Sequence, residues 1–457
     1  MAASKAVVPG KALRRSKSAE KSSPASTRGF MGRLPSEILM TILSYLDTAT
    51  LFRISHINKR FYHLASSNAL WKKQYIADFG KNEKCTGKRL SGMAIMEVRD
   101  QATGYNKRLY FETIGQCDKI KWMKRLELIS SHTGLPSETE RILRNLQITW
   151  ELAVIDKSGC KRTLELSWCH FIETSVTLCL YGGCLPNYDQ ISTLQLYGVR
   201  RLAHVGLKLV RRSLMAKLDM QTLTKNTQVI GQDRLVQLKL LQPDVIIGVW
   251  RDQCSVAFIM FNLHIHRLVE RSIQGSSICP YVEPMVRPPY CDTDPEYGLH
   301  GYQLHIVLHN TVCELMSRSF SQLFCHRTQI TDGLIPLIAI KSKNLSQHTP
   351  LTGDITLPWR CEVLQGAVEN CCIMNLTLLD EFRKPFKCVT SPVSVGLANT
   401  TLCYDYDGEH YRIHYQDSDI QVKMMLDWMK EQKQFILISL AVYVSADYVN
   451  KHFGRNY

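Results

Sequence analysis

The chain has 457 residues, 45% of them hydrophobic, which allows two or three domains with at least one sizeable core and excludes a small disulfide-stapled scaffold. In so large a chain without an apolar signal segment at its start, the sixteen cysteines are expected as reduced thiols in the cytoplasm or nucleus, and because they form no Cys-x-x-Cys pair no structural metal is expected. The net charge is +15, but Lys5, Lys11, Arg14, Arg15, Lys17, Lys21, Arg28 and Arg33 face only Glu20 before residue 34. The remainder is mildly basic, which fits an acidic partner surface without demanding nucleic acid.

Residues 1–32 read as a disordered basic tail, since no aromatic residue precedes Phe30 and Ser, Lys, Arg and Ala dominate. Arg14-Arg15-Ser16-Lys17-Ser18 offers a short basic site for phosphorylation or nuclear import, and Ser23-Pro24 a proline-directed one.

Residues 33–80 read as four short helices. Pro35 can start the first at a position where its missing N–H costs nothing, and Ile38, Leu39, Ile42, Leu43 and Leu46 then make a wide apolar face. Leu51 and Ile54 mark a second helix; Ile57, Phe61, Leu64 and Ala65 mark a third. A fourth, capped by Ser67 or Asn68, carries Leu70, Trp71 and Tyr75 and stops at Gly80. So short a segment cannot make a self-sufficient core, so something else must cover these side chains.

In register, Leu34, Pro35, Glu37, Ile38, Leu39, Ile42, Leu43, Ser44, Tyr45, Leu46, Leu51, Ile54, Ser55, Lys59, Leu64, Ala65, Leu70 and Trp71 closely resemble the F-box. Thr50 departs from the pattern, standing where many F-boxes have an acidic residue. The chain is thereby similar to the F-box only protein family. That resemblance implies docking on a Skp-type adaptor, which joins the chain to a cullin scaffold and a RING subunit. The adaptor face it implies consists of Leu34, Pro35, Ile38, Leu39, Ile42, Leu43, Leu46, Leu51 and Ile54.

Residues 81–147 stay helical and form a linker. Trp122, Leu126 and Ile129 share a face there, and Ser137-Glu-Thr-Glu140 forms a capping box ahead of Ile142, Leu143 and Leu146. Near Ile148 the hydrophobic period switches from 3.6 to 2. Strands are expected at 171–181, 193–197, 235–241, 245–250, 256–268, 303–309, 334–340, 372–379, 400–406, 411–415 and 435–444, with helical intrusions at 202–215 and 422–430. Asp407-Gly408 suggests a tight hairpin that places Tyr404 and Tyr406 opposite Tyr411, Ile413 and Tyr415. Residues 274–300, with five prolines and no periodicity, are a loop or linker between β-rich regions 148–273 and 301–457, which can also form one domain. The fold class is therefore α+β: an all-helical F-box and helical linker, then a mainly antiparallel β region built as a sandwich or open barrel. The run from Phe435 to Val444 is about half the length of a membrane span and reads as a buried strand.

Phosphate-loop, dinucleotide, nucleophile-elbow and zinc-protease motifs are absent from the sequence. His264 and His266 read as polar residues on a solvated strand face. His305 with His309, and His410 with His414, lie too far apart on strands to share one metal. Cys325-His326, Cys361 and Cys388 are poor candidates for a ubiquitin-carrying thiol, because on a strand each neighbouring base points to the opposite face. Trp150, Trp168, Trp250 and Trp359 could stack on sugars, but burial is the simpler expectation.

The expected function is that of a substrate-recognition subunit of an SCF-type ubiquitin ligase. It has no catalytic residue, metal or cofactor, and its β region holds the target. The sequence leaves two alternatives open: an F-box scaffold without ligase function, and a glycan-binding or hydrolase-like β domain with an appended F-box.

Overall fold

Every helix or strand described before residue 148 is a helix, and nearly every one after it a strand. The computed structural model describes residues 34–79, 103–182, 185–204, 207–224, 227–284, 294–362, 364–398, 406 and 408–457. The basic tail and residues 81–102 of the expected helical linker lie outside that range. The chain divides at Ile114 into two compact units.

The first unit holds α1 (Ser36–Leu43), α2 (Thr48–Ile54), α3 (Lys59–Ala65), α4 (Asn68–Phe79) and the opening turns of α5 (Tyr105–Leu126). Pro35 stands one residue ahead of α1 in extended backbone. Asn58 caps α3, its Oδ1 accepting the Phe61 N–H at 2.9 Å, which satisfies one orphan donor of the first turn. Leu43, Leu51, Ala65, Leu70, Trp71 and Tyr75 form the core together with Leu109 and Tyr110 from α5. Part of the missing cover is thus supplied by the chain itself, from a helix that begins well beyond the fourth. Gly80, the expected stop of α4, lies outside the described residues.

The second unit contains α6 (Thr139–Asn145) and an antiparallel β body. Ile129, expected on one helical face with Trp122 and Leu126, lies beyond the end of α5 and is bridged to Pro136. Glu138, not Ser137, precedes α6, and it makes no side-chain cap; the Ser137 hydroxyl donates instead to the Leu128 carbonyl at 3.0 Å. The capping box read from the sequence is therefore replaced by a turn contact.

The strands are β1 (Ile148–Asp156), β2 (Lys161–Glu165), β3 (Trp168–Ile172), β4 (Ser175–Leu180), β5 (Ile191–His204), β6 (Leu207–Asp219) and β7 (Gln228–Gln232). There follow β8 (Val236–Gln242), β9 (Val245–Trp250), β10 (Val256–His264), β11 (Tyr302–His309), β12 (Glu314–Leu323), β13 (Leu334–Ile340) and β14 (Thr349–Pro350). The last are β15 (Thr356–Cys361), β16 (Leu364–Glu369), β17 (Cys371–Leu379), β18 (Pro385–Leu397), β19 (Glu409–Gln416), β20 (Ile420–Met429) and β21 (Gln434–Ser445). Three further helices, α7 (Met220–Leu223), α8 (Leu268–Gln274) and α9 (Ala446–Phe453), are short.

One sheet runs β2-β1-β5-β6, a second β3-β4-β10-β9-β8-β7, and a third β12-β11-β17-β18-β19-β20-β21-β13 with β14 on β21; β15 and β16 make a separate hairpin. The first two sheets share a core of Leu152, Leu178, Leu196, Ile247 and Phe261 among others. The opposite face of the second sheet meets the β15–β16 hairpin through Phe258, Met260, Leu357 and Trp359. The third sheet encloses its own core with α9, through residues such as Leu304, Ile306, Leu308, Met374, Leu426, Val442 and Val449.

β4, β10 and β17 are buried along their whole length, which is why they read as continuous apolar runs and not as alternating ones. The α+β class holds, but two helices expected in the β region are strands. Residues 202–204 and 207–215 fall in β5 and β6, which pair from Thr193↔Asp219 to His204↔Leu207, and so long a ladder overrides the helix-favouring Leu, Ala and Met content. Residues 422–430 lie mostly in β20, where Ile420, Val422, Met424 and Leu426 alternate inward. The strand expected over 256–268 ends at His264, and α8 starts after Arg267 turns the chain at φ 54°. β3 and β4 divide the strand expected over 171–181. Residues 400–405 and 407, which include Tyr404 and Asp407 of the expected hairpin, lie outside the described residues. β19 pairs with β18, Ile413 opposite Val395, and with β20.

Where the second and third sheets meet, Cys179, Phe258 and Met260 pack with Cys371 and Ile373 of β17, and beside that apolar part lies a polar one. Asn375 Nδ2 donates to Ser175 Oγ at 2.7 Å, and His264 Nε2 lies 3.0 Å from Thr377 Oγ1. His309 Nε2 lies 3.4 Å from the same Ser175 hydroxyl. The His264 Nδ1 atom accepts the His266 backbone N–H at 3.1 Å, so the ring proton sits on Nε2 and is donated to Thr377. His264 is therefore a buried neutral histidine and not part of a solvated face.

Candidate docking face of the helical unit

α1 carries two apolar stripes with different fates. Leu39 and Leu43 point inward and are 1% and 2% exposed, while Ile38 and Ile42 are 49% and 38% exposed. Pro35 is exposed as well, and Tyr45, about one turn beyond Ile42, is 82% exposed. Residues 35, 38, 42 and 45 recur at helical spacing, so they form one outward stripe.

The stripe is held from beneath. Trp71 is fully buried and its indole N–H donates to the Ala65 carbonyl at 2.6 Å, tying α4 to the end of α3. Gln74 Nε2 donates to the Leu46 carbonyl at 2.7 Å and Lys73 Nζ to the Ser44 carbonyl at 3.2 Å, fixing the turn after α1. The Lys73 ammonium also lies 5.5 Å from the Tyr45 ring. Arg60 Nη2 donates to the Leu34 carbonyl at 2.6 Å, which anchors the entry to α1.

α5 closes the far side. Tyr110 donates to Asp78 at 2.5 Å, and burial beside that carboxylate pushes its phenol up to about 12. Asn106 donates to the Asn68 carbonyl at 2.9 Å. The Lys107 ammonium sits 5.0 Å from the Phe52 ring and 5.5 Å from that of Tyr62, and burial lowers its pKa.

The nine residues named from the sequence thus separate into three groups. Leu39, Leu43 and Leu51 belong to the interior; Leu34, Leu46 and Ile54 are half-buried; Pro35, Ile38 and Ile42 are exposed. Tyr45, Ile57 at 64% and Tyr62 at 52% add exposed apolar surface that the nine omit. The sequence carries a signal for Tyr45, because it continues the 35, 38, 42 series.

In the β unit, His305 and His309 are buried, and burial lowers the pKa of both. His410 is buried and His414 exposed. No group of three metal-ligating side chains occurs among the described residues. Burial pushes the Cys325 thiol up to about 11 and also raises Cys361 and Cys388, opposite to what a reactive thiol requires. Trp150 and Trp359 are buried, and Trp168 and Trp250 are half-buried.

The family described as F-box-like matches residues 31–77. The human F-box only protein 15 is 35% identical over 441 residues, covering 94% of this chain and 86% of that one. The Macaca fascicularis F-box only protein 15 is 36% identical, covering 93% of this chain and all of the other. The mouse F-box only protein 15 is 33% identical, covering 92% of this chain and all of its own.

Proposed function

Because the chain belongs to the F-box only protein 15 family, we propose that its helical unit docks a Skp-type adaptor through α1 while its β unit holds a protein substrate. The chain is a substrate-recognition subunit of an SCF-type ubiquitin ligase and is not itself an enzyme. The observation that carries the docking reading is the division of α1. Its inner stripe is buried, which leaves Pro35, Ile38, Ile42 and Tyr45 exposed and outside the unit's core. An exposed apolar stripe of this kind marks a partner surface.

The contribution to ubiquitin transfer is proximity. Holding a substrate lysine near the charged conjugating enzyme raises the local concentration of the attacking amine, a gain that needs no acid, base or nucleophile from this chain. The adaptor would connect it to the cullin and the RING subunit, in the cytoplasm or nucleus.

Ile42→Asp tests the docking reading, because Ile42 is exposed and its replacement leaves the core intact. A charge placed in a dry interface should weaken adaptor binding by about 2 kcal/mol, roughly thirtyfold. Unchanged adaptor affinity in a folded Ile42→Asp protein would refute it. Copurification of the cullin separates a ligase from a scaffold that holds the adaptor alone.

A further inference from the structure

A cleft of about 710 Å³ lies in the β unit between β3 and the β15–β16 hairpin. Three successive residues of β3, Trp168, Cys169 and His170, line it. Successive side chains of a strand point to opposite faces, so a cavity touching all three runs along the strand's edge. That edge is open: β3 ends its sheet and pairs only with β4 among the described residues. An open edge offers a row of backbone donors and acceptors to an added strand.

The cleft also carries a cation. Arg360 is exposed, lies 5.8 Å from the Trp168 ring, and has no carboxylate partner among the described residues. Trp168 Nε1 and His170 Nδ1 are buried without a hydrogen-bond partner. Trp359, in the facing wall, is held by its indole N–H on Asp233 at 2.6 Å.

We propose that this cleft takes an extended segment of the substrate protein, which adds as a strand to the edge of β3 and places an Asp or Glu side chain against Arg360. The backbone ladder supplies affinity, and the carboxylate at a fixed register supplies selectivity. The inference rests on the reading of the β unit as the part that holds substrate.

The test pans the full-length protein, in complex with its adaptor, against a display library of random dodecapeptides. Enriched peptides carry an acidic residue at one fixed position. A synthetic peptide of that pattern binds at least tenfold more weakly to Arg360→Glu, a substitution at an exposed residue, and it slows amide hydrogen exchange across residues 168–172. Enrichment without an acidic position, equal affinity for Arg360→Glu, or binding without protection of β3 overturns the proposal. So does concentration-dependent self-association lost in Arg360→Glu, which would make the occupant a second copy of the chain.

Proximity labelling in cells with Ile42→Asp separates this from failure of the broader reading. If a set of proteins accumulates on Ile42→Asp and persists when Arg360→Glu is added, the cleft is wrong and the receptor reading stands. If no set accumulates, the receptor reading itself fails.

Discussion

The helical unit and the β unit depart from the ordinary division of apolar and polar residues in opposite directions. In the first, apolar side chains stay outside: Pro35, Ile38, Ile42 and Tyr45 face solvent above a closed core. In the second, polar side chains go inside: Ser175, His264, Asn375 and Thr377 are buried where two sheets meet. A contiguous exposed apolar stripe is the mark of an interaction surface, whereas a buried polar layer costs stability wherever its hydrogen bonds are not made. On the proposed reading, one unit is completed by another molecule, whereas in the other the polar contacts fix how its own sheets align.

The largest effect should come from moving a charge across that division within α1. Leu39→Asp buries a carboxylate in the core and should unfold the helical unit, costing several kcal/mol, while Ile42→Asp three residues on leaves its melting temperature nearly unchanged. Circular dichroism melts of the two variants check this. Equal melting temperatures would erase the distinction between the stripes.

The polar layer predicts an acid-sensitive β unit. Burial pushes His264 down to about 3 from an ordinary value of 6.5, so the unfolded chain takes up the proton first. The stabilisation present above pH 6.5 is lost as the pH falls from there toward 3, at up to ~1.4 kcal/mol per pH unit for one histidine. His305 and His309, also lowered, add to the same slope. Urea denaturation at several pH values should show the decline, and His264→Gln should reduce its slope by up to one proton.

Several of these features are legible in the sequence. β9 and β13 sit at their expected bounds because short apolar runs between turns leave few alternatives. The two fates of α1 are not legible, since Ile38, Leu39, Ile42 and Leu43 are all strongly apolar and only the packing of α1 against the rest of its unit, α3 included, decides which pair is covered. β6 escapes a local reading because its ladder partner, β5, decides its conformation. The polar layer escapes it for the same reason: Ser175 and Asn375 lie 200 residues apart and meet only through the fold.

Asn375→Leu sharpens the comparison at a smaller scale. It removes the donor to Ser175 and should cost about 1–3 kcal/mol, read as a lower urea midpoint of the β unit with no change in adaptor binding. Smallest is Asn58→Ala, which deletes the α3 cap and should cost about 1 kcal/mol in the helical unit alone.

The contact of α5 with α4 also has a consequence for synthesis. Trp71 packs against the rings of Tyr110 and Phe111 at 5.3 and 5.4 Å, and Asp78 waits for a hydroxyl that lies 32 residues further along. At about 5–20 residues per second, a ribosome takes roughly 2–6 s to supply that helix after Asp78 has been made. During that interval the nascent chain presents the tryptophan of an unfinished core, which a chaperone can cover before the chain's own α5 does.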